Sequence, residues 1–168
     1  MNRTSSALFL SVALAGLLVA TSAYASAANH VSVSHAWIRV LPGDLPAGGY
    51  ATLQNNSDQP VSLSSASSTA YAHVMLHHSS TAGGVSRMTT VKTLAIPAHG
   101  SAILAPAGYH LMLSQPVAPV SPGDSVKLIL KFTDGSTLAA DFAARPANAL
   151  GSADEATEEP MGASPHNH

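Results

Sequence analysis

Cysteine is absent from all 168 residues. That gap excludes a disulfide framework, a thiolate nucleophile and every metal centre built on thiolate sulfur, the blue-copper type included. Charge is scarce, at 10% Asp, Glu, Lys and Arg, and aromatic side chains make up 5% with a single tryptophan. There is no basic block and no interleaving of aromatic with basic residues, so nucleic acid is not an expected partner. Long apolar runs are missing too, except near the start. Ala7 to Ala20 (ALFLSVALAGLLVA) is apolar, follows Arg3 and precedes small residues. It is shorter than the roughly 20 residues a bilayer span needs, so 1–27 reads as a secretory signal peptide and no membrane span is expected. Cleavage after Ala25 or after Ala27 satisfies the small-residue rule, and the periplasm is the expected destination. With no cysteine beside the leader, no lipid anchor is expected there.

Without the leader, six basic residues face nine acidic ones. The remaining stretch of about 140 residues suits one domain with one core, here expected as a monomer. Alternation with a period of two dominates it. Strands are expected over 30–41 (HVSVSHAWIRVL, with Val31, Val33 and the Trp37 neighbourhood on regular strand faces), 49–53, 71–77 (YAHVMLH), 85–91, 94–96, 101–104, 109–113, 125–132 and 138–142. A weaker one is expected over 61–65. AHG, APAG, SPGD and TDG are turn chemistry between them. No helical stripe occurs outside the leader. Many short strands with frequent turns predict an all-β sandwich or barrel. The domain is expected over 28–146, followed by an acidic, mobile tail over 147–168 that carries histidine and methionine.

Soft metal ligands are what the chain does contain. His77 and Met88 have ten residues between them, Met88 and His110 have twenty-one, and Met112 follows two places after His110. A thioether binds zinc, calcium or magnesium poorly and Cu(I) well. Residues two apart on a strand share a face. His73, Met75 and His77 therefore point one way, with Val74 and Leu76 opposite. His110 and Met112 share a face as well, opposite Tyr109, Leu111 and Leu113. Taken singly, each of these histidines and methionines reads as surface or core filler. Together they predict a metal site with copper as the favoured ion.

The pattern His77, Met88, His110-x-Met112 resembles the periplasmic copper chaperone family PCuAC. AWIR (36–39), GGYATLQN (48–55), LAIPAHG (94–100), LAPAGYHLML (104–113) and the PGD and LKFTDGS segments are similar to that family as well. The resemblance covers roughly residues 31–143. It implies a cupredoxin-like, Greek-key β-sandwich holding Cu(I) near its surface. It also implies delivery to the copper-bearing subunit of a haem–copper respiratory oxidase, sometimes with a thioredoxin-like copper protein. The chain departs from the family pattern at Ser86, where a second methionine is frequent, at His78, and at His35. These departures leave the roles of His73, Met75 and His78 open, so the three stand as accessory candidates. Four filled positions leave none for a substrate, so no enzyme is expected.

Cu(II) sites are conceivable at both ends. Cleavage after Ala27 would expose Ala28–Asn29–His30, whose amine, amides and imidazole make a square-planar set suited to Cu(II). The tail offers Met161, His166 and His168 beside acidic residues. Two rival functions share the sequence: a copper buffer or resistance protein without a dedicated acceptor, and a structural β-sandwich whose histidines are incidental. A metal-dependent hydrolase is weaker, because no acidic residue neighbours either His-x-Met pair.

Overall fold

Residues 26–151 are described by a computed structural model. A short 3-10 turn, Ala27–Asn29, leads into ten strands. They are β1 Val31–Arg39, β2 Ala47–Asn55, β3 Val61–Ser68, β4 Tyr71–Ala82, β5 Val85–Thr90, β6 Leu94–Ile96, β7 Ser101–Leu104, β8 Tyr109–Pro116, β9 Ser125–Phe132 and β10 Thr137–Arg145. Hydrogen bonding links them in the order β5-β4-β8-β7-β2-β1-β10-β9-β3-β6, with β8 also pairing β2. The ladder curls back so that β3 meets β4 and β6 meets β7. The product is the expected all-β sandwich. Among the described residues no helix is long and apolar enough to cross a membrane.

Alternating sequence builds the core directly. In SVKLILKF, Val126, Leu128, Leu130 and Phe132 are buried while Lys127 and Lys131 face water. They meet Leu53, Leu63, Ile96, Leu111, Leu113 and Phe142, none more than 1% exposed. Asp124 and Asp134 cap their turns by accepting the backbone N–H of Ser121 and Ser136.

The strand expectations are corrected at two points. The weak 61–65 strand runs on to Ser68, because β9 offers partners as far as Leu128. The regular alternation expected through 30–41 breaks at a β-bulge: the register passes from Ser34↔Thr52 to Trp37↔Tyr50, one extra residue on β1. His35 takes the strain with φ +50°, a left-handed value that histidine enters more readily than most residues. The extra residue flips the faces, so Ile38 turns into the core and Trp37 and Arg39 turn outward. The N–H of Ala149 donates to the carbonyl of Pro146, and Ala149 is buried against Trp37 and Tyr50.

Candidate metal centre

The β4–β5 hairpin closes through Gly83 and Gly84, with φ +59° and +77°. Two successive left-handed residues make the tight turn whose twist matches paired strands, and glycine adopts it without steric cost. This turn fixes the register at Ala82↔Val85, hence Ser79↔Met88 and His77↔Thr90. A loop one residue longer would move Met88 to the other face. The β4–β8 ladder then sets His77 opposite His110 and Met75 opposite Met112. Directly opposed residues share a face, so the spacing seen in sequence becomes a compact pattern. A central rung holds two imidazoles; Met88 lies toward one side and Met112 toward the other.

The other face of the same strands is core: Leu76, Leu111 and Leu113 are 5%, 0% and 0% exposed. The two histidines are also buried, at 9% and 5%. Their rings meet edge to face with centroids 5.9 Å apart. Nδ1 of His110 donates to the carbonyl of Gly108 at 3.1 Å, which leaves the Nε2 lone pair free for an ion. Nε2 of His77 has only a 3.4 Å contact with the Thr90 hydroxyl, and its Nδ1 is buried without a hydrogen-bond partner. Burial, and then the neighbouring His110, hold the His77 imidazole below the usual histidine pKa. The His77 imidazole is thus placed to act as a neutral donor. Among the described residues no three His, Asp or Glu side chains cluster, so sulfur is needed to complete a four-donor set.

An aromatic wall stands beside this rung. Tyr50 packs on Trp37 with ring centroids 4.6 Å apart and lies 6.5 Å from the His110 ring. The Arg39 guanidinium sits 5.3 Å from the Trp37 ring and 5.5 Å from the Tyr50 ring, and its Nη2 donates to the carbonyl of Ala149. Gly48 lies opposite Met112 on β2. A Cβ there would come within 2.2 Å of the Tyr50 hydroxyl, so glycine is what lets Tyr50 fold down beside Met112. Arg39, Tyr50, Met88, His110 and Met112 line one shallow depression of about 280 Å³. A larger depression of about 590 Å³ lies elsewhere, along Leu41–Leu45 and Pro116–Pro122, and contains neither histidine nor methionine.

The accessory candidates divide. Met75 and His73 share the outer face with the His rung, whereas His78 falls on the opposite face and stacks on Tyr109 at 4.5 Å. His30 lies at the far end of β1, about 25 Å along the strand at the usual rise per residue. The Ala28 nitrogen donates to the Ser136 hydroxyl. The Asn29 and His30 N–H groups donate to the carbonyls of Ser26 and Ala27, residues that a cleavage after Ala27 would remove. Met161, His166, His168 and the signal peptide lie outside the described residues. Sequence reasoning missed Tyr50 and Arg39 as site neighbours. The available signal was the even-numbered parity of Gly48 and Tyr50 within GGYATLQN.

The family model for LpqE-like lipoproteins matches residues 31–144, a span that includes every strand of the outer face. The chain belongs to the LpqE-like family. A relative named "Putative lipoprotein Lxx21020", from Leifsonia xyli subsp. xyli, is 32% identical over 111 residues, which are 66% of this chain and 66% of that protein. Among solved structures, the solution structure of CuI-DR1885 from Deinococcus radiodurans is 33% identical, with TM-score 0.58 over 75% of this chain and 85% of that one. The copper-bound PCuAC domain from PmoF2 shares the fold at 21% identity and TM-score 0.60, covering 72% of this chain and 97% of that domain. The LpqE-like chain therefore has the fold of the PCuAC domains.

Proposed function

We propose that this protein carries Cu(I) in the cell envelope, holding it between His77, Met88, His110 and Met112. The observation that carries this reading is the His77–His110 rung: two buried imidazoles, one with a buried nitrogen that nothing in the fold satisfies. Leaving such an atom unpaired costs about 1–3 kcal/mol, which an ion bound there would offset. Two neutral imidazoles and two thioethers suit Cu(I) better than any hard divalent ion. Arg39 adds a fixed positive charge beside the depression, which disfavours Cu(II) relative to Cu(I). Kinship with DR1885, whose Cu(I) form has been solved, supports the same cargo. The apolar leader and a relative named as a lipoprotein support an exported, periplasmic location.

The role follows from how the ion is held. Thioethers bind Cu(I) without the tenacity of thiolates, and Met88 at the edge is 52% exposed. An acceptor ligand can join the ion before a resident one leaves. The acceptor in this reading is the copper-bearing subunit of a haem–copper oxidase, with a thioredoxin-like copper protein as a further partner. Cu K-edge absorption of the protein loaded anaerobically with one equivalent of Cu(I) tests the site. A shell of mixed nitrogen and sulfur is expected, and a shell of nitrogen and oxygen alone would overturn it. A deletion strain tests the destination. Loss of oxidase activity that added copper restores is expected, whereas lost copper tolerance with normal oxidase would favour buffering.

A further inference from the structure

The row of soft donors on the outer face continues past the four residues assigned above. Met75 lies directly across the β4–β8 ladder from Met112, and His73 follows on the same face, opposite Ser114. Cross-strand partners have Cβ atoms about 4.5–5.5 Å apart. Neighbours on one strand face are roughly 6.7 Å apart. Met75 is two residues from His77 just as Met112 is two residues from His110. By backbone position it is therefore as close to the imidazole rung as an assigned ligand is.

The surroundings of Met75 differ from those of Met112 in one respect. The β5 ladder reaches along β4 only as far as His77↔Thr90. One further bond, from the Val91 N–H to the Leu76 carbonyl, continues it. Past that point no described strand is hydrogen-bonded to the side of β4 away from β8; instead Ala66, Ser67 and Ser68 of β3 line a depression beside Met75 and His73. Met75 is 42% exposed, His73 is exposed, and both line a small depression beside Ser68. One exposed methionine on a protein surface requires no explanation. Here, however, the exposed methionine is in register with a second one, a single rung from two buried imidazoles.

We propose that Met75, with His73 behind it, is a hand-over position through which Cu(I) enters and leaves the inner site. The inference rests on the copper reading above and deepens it. In the exchange, the Met75 sulfur adds to Cu(I) as the Met88 sulfur departs, while Met112 stays bound. The ion then lies toward the open edge of β4, where His73 and an incoming acceptor ligand can take it. No electron moves, and thioethers and neutral imidazoles bind without releasing a proton. Each step forms one copper–ligand bond and breaks one, so the ion is never bare. Met88 and Met75 thus act as alternates at opposite ends of the His rung.

The test uses the full exported chain loaded anaerobically with Cu(I), in wild-type, Met75→Leu, Met88→Leu and doubly substituted forms. Affinity is read by competition with a chromophoric chelator, and transfer to excess chelator is read by stopped flow. Met75→Leu is expected to keep one equivalent with little change in affinity. Its transfer should slow by about tenfold, the rate equivalent of 1.4 kcal/mol. The double variant should lose more affinity than the two single losses combined, because each methionine covers for the other. Wild-type transfer rates in Met75→Leu, with a double variant no worse than Met88→Leu, would overturn the hand-over position while leaving the copper site standing. A wild-type protein with no stoichiometric Cu(I) would instead overturn the copper reading and this inference with it.

Discussion

Asn55 at the end of β2 and His77 in the middle of β4 are both buried, at 0% and 9% exposure, yet their polar atoms are treated very differently. The Asn55 amide nitrogen donates to the carbonyls of Gln59, Pro97 and Ile96 at 2.8, 3.0 and 3.3 Å. Its oxygen accepts from the N–H and the hydroxyl of Ser57 at 3.0 and 2.8 Å. His77 has one long contact and one nitrogen with no partner. Equal burial therefore hides a difference in satisfaction: Asn55 is fully paired, while a nitrogen of His77, like Nε of Arg39, is not. Asn55 stitches β2 to the segment after β6 and is complete as it stands. His77 keeps a buried nitrogen that the fold leaves unpaired, as the proposed copper site requires.

The sharpest way to break this comparison is to substitute the satisfied member. Asn55→Ala leaves the Gln59, Ile96 and Pro97 carbonyls and the Ser57 N–H without their partner, so a loss of about 2–4 kcal/mol in urea unfolding is expected. Cu(I) stoichiometry of the folded fraction should be unchanged. Equal damage to binding and stability would erase the distinction.

Met88→Leu is the converse. Met88 is half exposed, so apo stability should change by no more than about 0.5 kcal/mol. Cu(I) affinity should fall by at least tenfold, or about 1.4 kcal/mol. A chelator competition and a urea titration on the same preparation read both quantities.

Acidity sharpens the contrast further, because Asn55 does not titrate. His77 is held below the ordinary histidine value by its burial and by His110. The folded chain therefore binds fewer protons than the unfolded chain in the window between the two values. The contribution is complete above about pH 6.5 and is lost as pH falls through the lower folded value. The urea midpoint of the apoprotein should drop on acidification below about pH 6.5, and His77→Gln should remove part of that drop. An identical pH profile in the variant would show that His77 is not the group responsible.

The smallest effect is expected where a satisfied group is exposed. Asp134 accepts the N–H of Ala27 at 2.7 Å and the hydroxyl and N–H of Ser136, and these bonds hold its carboxyl below the usual aspartate range. Its stabilisation is present above the ordinary carboxylate pKa and fades as pH falls through the folded value. Water screens the site, so Asp134→Asn should cost only a few tenths of a kcal/mol. Cu(I) binding should be untouched, as a thermal melt with and without the ion would show.

Much of this arrangement was legible in the sequence. Period-two alternation with AHG, SPGD and TDG turns located the strands. The odd spacing between His77 and Met88 is what a two-residue hairpin needs to return both to one face. The bulge at His35 was not legible, since one extra residue in SHAWIR leaves the composition of the strand unchanged. Because it flips Trp37 and Arg39 outward, the wall beside the site was hidden with it. The anchoring of Ala149 was hidden too, because its partner to Arg39 is a backbone carbonyl that any residue supplies. The separation of His78 from Met75 follows from parity alone and was readable all along.

In the proposed function, one Cu(I) completes the His77–His110 rung flanked by Met88 and Met112. Anaerobic Cu(I) titration of the exported protein against a competing chromophoric chelator, beside His77→Gln and Met112→Leu, tests it most directly. One tight equivalent is expected in the wild type, with markedly weaker binding in both variants. Weak, non-stoichiometric uptake that neither substitution changes would contradict it and leave a β-sandwich with an unexplained hole in its hydrogen bonding.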